Sequence, residues 1–284
     1  MTDWSPANEG TIRLIAFSSI FILLAVWEIL AARRELSDSK GRRWFSNLSL
    51  VVIDSVVVRL LFPAATVGLA IAFADRGLGL FNRIDVPGWL VVFLSIILLD
   101  LAIWAQHVMF HKVPILWRMH MVHHADLDVD VTTGLRFHPF EIVASMLIKL
   151  AIVALLGPPV LAVLIFEVLL NSLSMFTHAN VRIPNPFERA LRWIIVTPEM
   201  HRIHHSIERA EHDTNFGFNL SLWDRIFRTY TPDPDKGQTG MTLGLPYFRE
   251  VAWRSLPKIL VMPLSGQMSR DKPSSSELND PNRS

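Results

Sequence analysis

Residues 89–124 read WLVVFLSIILLDLAIWAQHVMFHKVPILWRMHMVHH, and this stretch decides the fold. Its first part belongs to an apolar run from Val86 to about Gln106, interrupted only by Asp100; its second part carries His107, His111, His120, His123 and His124. At about 1.5 Å per residue the run is long enough to cross a hydrocarbon core of about 30 Å as a helix. His107 and His111, four residues apart at its end, share one helical face, so both imidazoles can meet one ion. The stretch therefore predicts a membrane span that delivers metal ligands to one membrane surface.

Working outward, Ile12 to Ala32 supplies a first span and Leu48 to Ala74, interrupted by Asp54 and Arg59, a second. Met1 to Gly10 has Asp3 and Glu9 but no Lys or Arg, so a cleavable signal peptide is not expected. Downstream, Phe140 to Phe176 is too long for one helix and is broken by Gly157-Pro158-Pro159, which predicts a hairpin of two arms. Lys149 lies eight residues before Gly157 and Glu167 eight after Pro159; at equal depth the two are expected to pair. The loop after the first span holds Arg33, Arg34, Lys40, Arg42 and Arg43, which by the positive-inside rule places it, and every histidine cluster, in the cytoplasm with the N-terminus outside. The expected architecture is an all-α integral membrane protein, with about four transmembrane helices, the last two a hairpin, and a cytoplasmic helical cap.

The whole chain agrees with that class. Of its 284 residues 51% are apolar and 19% charged, and mean hydropathy is +0.34, too apolar for an ordinary soluble enzyme. The formal charge of +1 gives no basic field for nucleic acid. With no Cys, disulfides, thiolate metal sites and iron–sulfur clusters are excluded, and any metal must be held by N or O.

Ten of the eleven histidines lie between His107 and His205. His120-x-x-His123-His124 and His201-x-x-His204-His205 each combine an i, i+3/i+4 pair with an adjacent imidazole aimed at a neighbouring site, a spacing that serves two metals better than one. His178 closes the hairpin on the same membrane face as these clusters. His138, in Arg136-Phe137-His138-Pro139, reads equally as a ligand, a donor to a ligand, or a helix-entry residue, and His212 reads as a solvated loop residue. Imidazoles suit Zn, Cu, Fe and Ni, so the ligands alone do not name the metal. The His-Glu-x-x-His, Gly-x-Ser-x-Gly and Ser-x-x-Lys signatures of hydrolases are absent.

These three boxes, in order on a membrane scaffold, resemble the fatty acid hydroxylase/sterol desaturase superfamily of histidine-box di-iron oxygenases. The resemblance continues through Glu199-Met200-His201-Arg202-Ile203-His204-His205-Ser206, Asp213-Thr214-Asn215-Phe216-Gly217 and Trp223-Asp224-Arg225-Ile226-Phe227-Arg228-Thr229-Tyr230, covering about residues 95–232. Arg228 departs from it, since such proteins usually have Gly there, and this puts a local turn in question.

The resemblance implies O₂-dependent hydroxylation or desaturation of a membrane lipid by a non-haem monooxygenase with two Fe ions, for which Zn can substitute. His107, His111, His120, His123, His124, His138, His178, His201, His204 and His205 would be its metal ligands. Carboxylates should orient the imidazoles, with Asp126, Asp128, Asp130, Glu199 and Asp213 as candidates and Asp213 the best single choice for a catalytic role. The chain lacks a dinucleotide fingerprint, cluster cysteines and a haem-attachment motif, so a separate ferredoxin or reductase is implied, docking on Lys112, Arg118, Arg202 and Arg209. The other readings are a membrane zinc hydrolase and a non-catalytic metal- or lipid-binding protein.

The expected organisation is an N-terminal transmembrane region (1–94), a catalytic region (95–232), an interfacial segment (233–264, centred on Pro246 to Leu260) and a disordered tail (265–284). The chain would sit in the inner membrane if bacterial.

Overall fold

The structure, a computed structural model, describes residues 6–265. Among these residues it has no strands, only three isolated bridges. The long helices are α1 (Pro6–Leu30), α2 (Lys40–Leu61), α4 (Gly88–Lys112), α6 (Pro139–Leu156) and α7 (Val160–His178), with the shorter α3 (Ala65–Asp75) following α2. In lipid every backbone polar group must be satisfied internally, so apolar runs of this length become helices. Exposed Leu14, Ile22, Leu60 and Leu155 face outward from them.

Five segments are long and apolar enough to cross a membrane: Glu9–Leu30, Lys40–Asn82, Gly88–Lys112, Pro139–Leu156 and Val160–His178. The sequence reading counts about four, the hairpin arms included; five qualify by length and apolarity, because three segments precede the two arms. The second segment bends at Phe62-Pro63-Ala64, where proline has no N–H to continue the ladder. The hairpin turn falls at Gly157, in the left-handed region at φ 59°, and a Cβ on Gly79 would come within 2.5 Å of its backbone. That crossing marks one end of the bundle, and the histidines lie at the other.

Lys149 and Glu167 pair at 3.0 Å, as their equal depth predicts. Glu167 also takes a hydrogen bond from Thr66 Oγ1 (2.8 Å) and an ion pair from Arg13, so four helices, α1, α3, α6 and α7, meet on one buried carboxylate.

The cap comprises α5 (Pro114–His124), the loop 125–138, and the short helices α8 (Asn185–Leu191), α9 (Pro198–His204), α10 (Arg209–His212), α11 (Leu222–Ile226), α12 (Gly237–Gly240) and α13 (Leu256–Val261). Its joint with the bundle is ionic. Buried Arg43 of α2 donates to both oxygens of Asp126 (2.8 and 2.9 Å) and to Asp130 Oδ2 (2.6 Å). Burial alone would raise the Asp126 carboxyl, but Arg43 brings it down to about 2. Glu28 of α1 accepts from the N–H groups of Val131 and Asn180. Asp128 accepts from the N–H groups of Ser37 and Asp38. Asp126, Asp128 and Asp130 therefore do not orient imidazoles, correcting the sequence expectation: their partners sit on the loop between α1 and α2 and at the start of α2.

In the C-terminal segment Phe248, Ile259 and Met262 bury against Leu50, Met121 and Val122, while Val251, Val261 and Leu264 stay exposed. The expected tail from residue 266 onward lies outside the described residues.

The turn that Arg228 puts in question is kept. Arg228 adopts φ 60°, and the next N–H, of Thr229, donates to Asp224 O at 2.8 Å. A residue with a Cβ is strained there by about 1–2 kcal/mol, against roughly 0.5–1 kcal/mol of extra chain entropy lost by glycine. Arg228→Gly is therefore expected to stabilise the protein by up to about 1 kcal/mol, read as a higher thermal midpoint in detergent; a lower midpoint would refute the strain.

Candidate metal centre

Nine imidazoles converge at the cap end of the bundle in two groups, His107, His111, His120, His124 and His204 in one and His123, His178, His201 and His205 in the other. Within each group one ring nitrogen per residue lies within 4.8 Å of all the others. α4 contributes His107 and His111, and α7 contributes His178. α5 and α9 divide their histidines: His120 and His124 share one face of α5 while His123 points to the second group, and His204 parts from His201 and His205 in the same way.

His107 Nε2 lies 3.0 Å from Nε2 of both His120 and His204. His178 Nε2 lies 3.0 Å from those of His123 and His201 and 3.2 Å from that of His205. Neutral imidazoles have one N–H each, and several facing nitrogens around one point cannot all be satisfied by hydrogen bonds. Buried Nδ1 atoms of His111, His123, His124, His201 and His205, and Nε2 of His111, also have no partner. A spacing of about 3 Å is what two ligands at a right angle have on an ion about 2.1 Å from each. The residues fit two metal ions.

Burial, with the neighbouring imidazoles second, holds His123, His124, His204 and His205 well below the ordinary histidine range, and burial brings His120 down to about 3. They are neutral at pH 7, as ligands must be. A depressed folded-state value means that the unfolded chain binds more protons, so this stability is complete above about pH 6.5 and is lost as pH falls, by up to about 1.4 kcal/mol per group per pH unit. The metal-free protein is expected to lose thermal stability steeply from pH 7 to 5 and change little from 7 to 8; a flat profile in acid would contradict neutral burial.

Three ring N–H groups are held by backbone carbonyls: His107 Nδ1 by Phe216 O (2.7 Å), His204 Nδ1 by Thr214 O (2.7 Å) and His178 Nδ1 by Ser174 O (2.6 Å). The loop 213–217 thus orients two imidazoles of the first group. It is fastened in turn by Asp224, which accepts from Phe216 N and Gly217 N, and by Asn215, whose Nδ2 donates to Met200 O and Thr231 O.

Of the other predicted site residues, Asp213 stands at the edge of the first group, Oδ1 3.7 Å from His111 Nδ1 and Oδ2 3.0 Å from Lys112 Nζ. His138 is not brought to either group. Its Nδ1 accepts the Phe140 N–H, capping α6, and its Nε2 donates to Leu260 O, tying the α13 segment to α6. Glu199 pairs with Arg33 at 2.5 Å. Arg202 is fully buried and donates to Gln238 Oε1, so it offers no docking charge.

One residue of the site was misread in the sequence and one went unread. His212, expected to be solvated, packs its ring 4.5 Å from that of His124 and 4.9 Å from that of His111, because α10 folds back over the first group. Buried Glu141 accepts His120 Nδ1–H at 2.7 Å. Its only sequence signal is an acid in the first turn of an apolar span.

With this geometry in place, comparison with known proteins is decisive: residues 92–229 match the fatty acid hydroxylase family. Residues 92–229 belong to the fatty acid hydroxylase superfamily. Among its curated relatives, the ornithine lipid hydroxylase OlsE of Rhizobium tropici is 25% identical over 80% of this chain and 70% of that protein. Alkylglycerol monooxygenase of Xenopus tropicalis is 32% identical over 54% of this chain, and the human enzyme 30% over 57%. The chain spans about a third of the length of these two monooxygenases, 33% and 35%. No solved structure matches it. The fatty acid hydroxylase region contains all nine grouped histidines, Glu141 and the ligand-orienting loop.

Glu141 forms the only carboxylate hydrogen bond to a grouped imidazole among the described residues, and such partners govern metal affinity by about 10–100-fold. Glu141→Leu is expected to weaken metal binding by that factor in a chelator competition, and Glu141→Gln, whose amide oxygen still accepts, by much less. Equal losses from the two would deny the hydrogen bond its role.

Proposed function

We propose that this protein oxidises a C–H bond of a membrane lipid with O₂, by hydroxylation or desaturation, at a di-iron centre held by the nine grouped histidines. The observation that carries the reading is the division of nine buried imidazoles into sets of five and four in which Nε2 atoms face one another at 3.0–3.2 Å. Two iron ions bound there would supply the reduction of O₂ and the attack on an unactivated C–H bond.

The protein's own groups make that chemistry orderly. Glu141 and the carbonyls of Phe216, Thr214 and Ser174 hold protons on Nδ1, which turns each Nε2 toward its group. Phe110 and Phe216, both buried against the first group, exclude water. Asp213 holds Lys112 beside His111 at the solvent edge, where a proton can be passed inward. Apolar helices below the centre provide the medium in which a hydrocarbon chain is positioned, at about 0.8 kcal/mol per buried CH₂. A separate ferredoxin or reductase supplies electrons, and Lys112 and Arg209 remain on the surface to receive it.

The five cations after the first span support a cytoplasmic histidine end, and the apolar spans are proposed to lie in the cell membrane. Residues 95–232 are proposed as the catalytic region, preceded by the transmembrane region 1–94 and followed by the interfacial segment 233–264. The test is iron per chain and oxygen-dependent product on one purified sample with a supplied reductase. Two irons with strictly aerobic turnover of lipid support the reading; turnover on zinc without oxygen replaces it with a hydrolase.

A further inference from the structure

On the side of α9 away from the histidines is a cleft of about 480 Å³ whose walls include Arg33, Arg189, Arg192, Arg225, Trp193 and Tyr230. At 100° per residue Glu199, which also lines it, lies about 200° round the helix from His201, so the cleft is separate from the metal centre. Two of its arginines are already matched: Arg33 pairs with Glu199 at 2.5 Å and Arg192 with Glu188 at 2.6 Å. The other two have no ion-pair partner among the described residues. Arg189 is exposed. Arg225 is held between the faces of Trp193 (4.1 Å) and Tyr230 (3.9 Å); one Nη donates to Arg192 O at 3.2 Å, and its buried Nε lacks an acceptor. Asp233 stands exposed at the mouth.

The cleft's position relative to the bilayer follows from the spans. Arg33 comes three residues after the first span, which ends at Leu30. Phe227, beside Arg225 in sequence, stacks on Trp104 at 4.4 Å, and Trp104 lies eight residues, about 12 Å, inside the end of the third span at Lys112. Around the cleft Phe187, Trp193, Ile194, Ile226 and Phe227 are half-exposed or more. An apolar rim at acyl depth, with guanidinium groups that have no carboxylate partner just above it, is the arrangement that receives the phosphate of a lipid whose chains stay in the bilayer.

We propose that this cleft binds the headgroup phosphate of an anionic lipid from the surrounding bilayer, fixing the height at which α8 and α11 sit and so the seating of the cap on the membrane. Arg189 and Arg225 take the phosphate oxygens, while Trp193 and its apolar neighbours take the adjoining acyl chains.

The experiment uses the full chain, released from detergent in a native mass spectrometer and titrated with dioleoylphosphatidylglycerol, dioleoylglycerol or inorganic phosphate. Wild type is expected to retain the phosphatidylglycerol and not the dioleoylglycerol, with no displacement by inorganic phosphate. Each arginine near a membrane surface is worth about a fivefold change in affinity, so Arg189→Gln should weaken retention about fivefold and Arg189→Gln with Arg225→Gln about thirtyfold. Arg83→Gln, an exposed cation at the opposite end of the bundle, should change nothing. Should Arg225→Gln fail to fold, Arg189→Gln decides, because that side chain is exposed and supports no neighbour.

Undiminished retention in the arginine variants, equal binding of dioleoylglycerol, or displacement by inorganic phosphate would each overturn the proposal. So would a dimer that Trp193→Ser dissociates, since the apolar rim would then be a protein contact. None of these readouts depends on turnover, so failure here and failure of the oxidase reading are told apart.

Discussion

Replacing His123 by alanine is expected to strip the second group of its ion and abolish oxygen-dependent lipid oxidation, whereas His138→Ala is expected to leave both ions in place. Both imidazoles are buried, and both were candidates in the sequence, so the contrast rests on geometry alone. His123 Nε2 faces His178 Nε2 at 3.0 Å in a set of only four imidazoles, and its Nδ1 has no partner. Losing one of four nitrogens opens the coordination shell, and the fall in metal affinity should exceed the 10–100-fold that loss of a mere orienting partner produces. His138 has both ring nitrogens committed to backbone groups, of Phe140 and Leu260. Its replacement costs a helix cap, about 1 kcal/mol, and lowers the thermal midpoint without changing iron content. Iron per chain and thermal midpoint, measured on both variants, settle the assignment; loss of iron from His138→Ala or full iron in His123→Ala would reverse it.

Arg43→Leu should be the most damaging change outside the histidines. The guanidinium answers Asp126 and Asp130 and donates to Asp128 O, with 2% of the side chain exposed. Removing one partner of a buried ion pair leaves uncompensated charge and costs about 3–5 kcal/mol. Two carboxylates are orphaned here, so a loss at the upper end is expected, as a large drop in folded yield and thermal midpoint. Arg43→Leu combined with Asp126→Asn and Asp130→Asn should recover part of it, because the charges are then gone from both sides. A single variant with unchanged stability would show that the joint is not ionic.

The spans were legible because lipid leaves the backbone one solution, and the hairpin because Gly157-Pro158-Pro159 permits no helix. The convergence of the nine histidines was legible because helical spacing of i, i+3 and i+4 is local, and adjacent histidines diverge by a fixed angle. What could not be read was nonlocal. Asp126, Asp128 and Asp130 look like ligand-orienting acids beside His124, yet they answer Arg43 and the Ser37–Asp38 backbone some 83 to 91 residues earlier. Glu141 performs the role sought in them and carries no spacing signature, since its relation to His120 exists only once α6 docks on α5. His212 reads as solvated from its charged neighbours because nothing in Glu208 to Asp213 says that α10 turns inward.

The sharing of α5 and α9 between both groups sets when the centre can be completed during biogenesis. His107 and His204, which face each other at 3.0 Å, are 97 residues apart in the chain. At about 5–20 residues per second the ribosome delivers the second roughly 5–20 s after the first. Until then neither site has its full set, because α9 supplies ligands to both and the second also waits for α7. The nascent protein therefore passes through membrane insertion with neither histidine group complete. On the di-iron reading proposed above, metallation would follow translation, on a folded apoprotein whose imidazoles are buried beneath the cap, and the rate of iron incorporation in the cell would follow opening of the cap rather than the rate of synthesis.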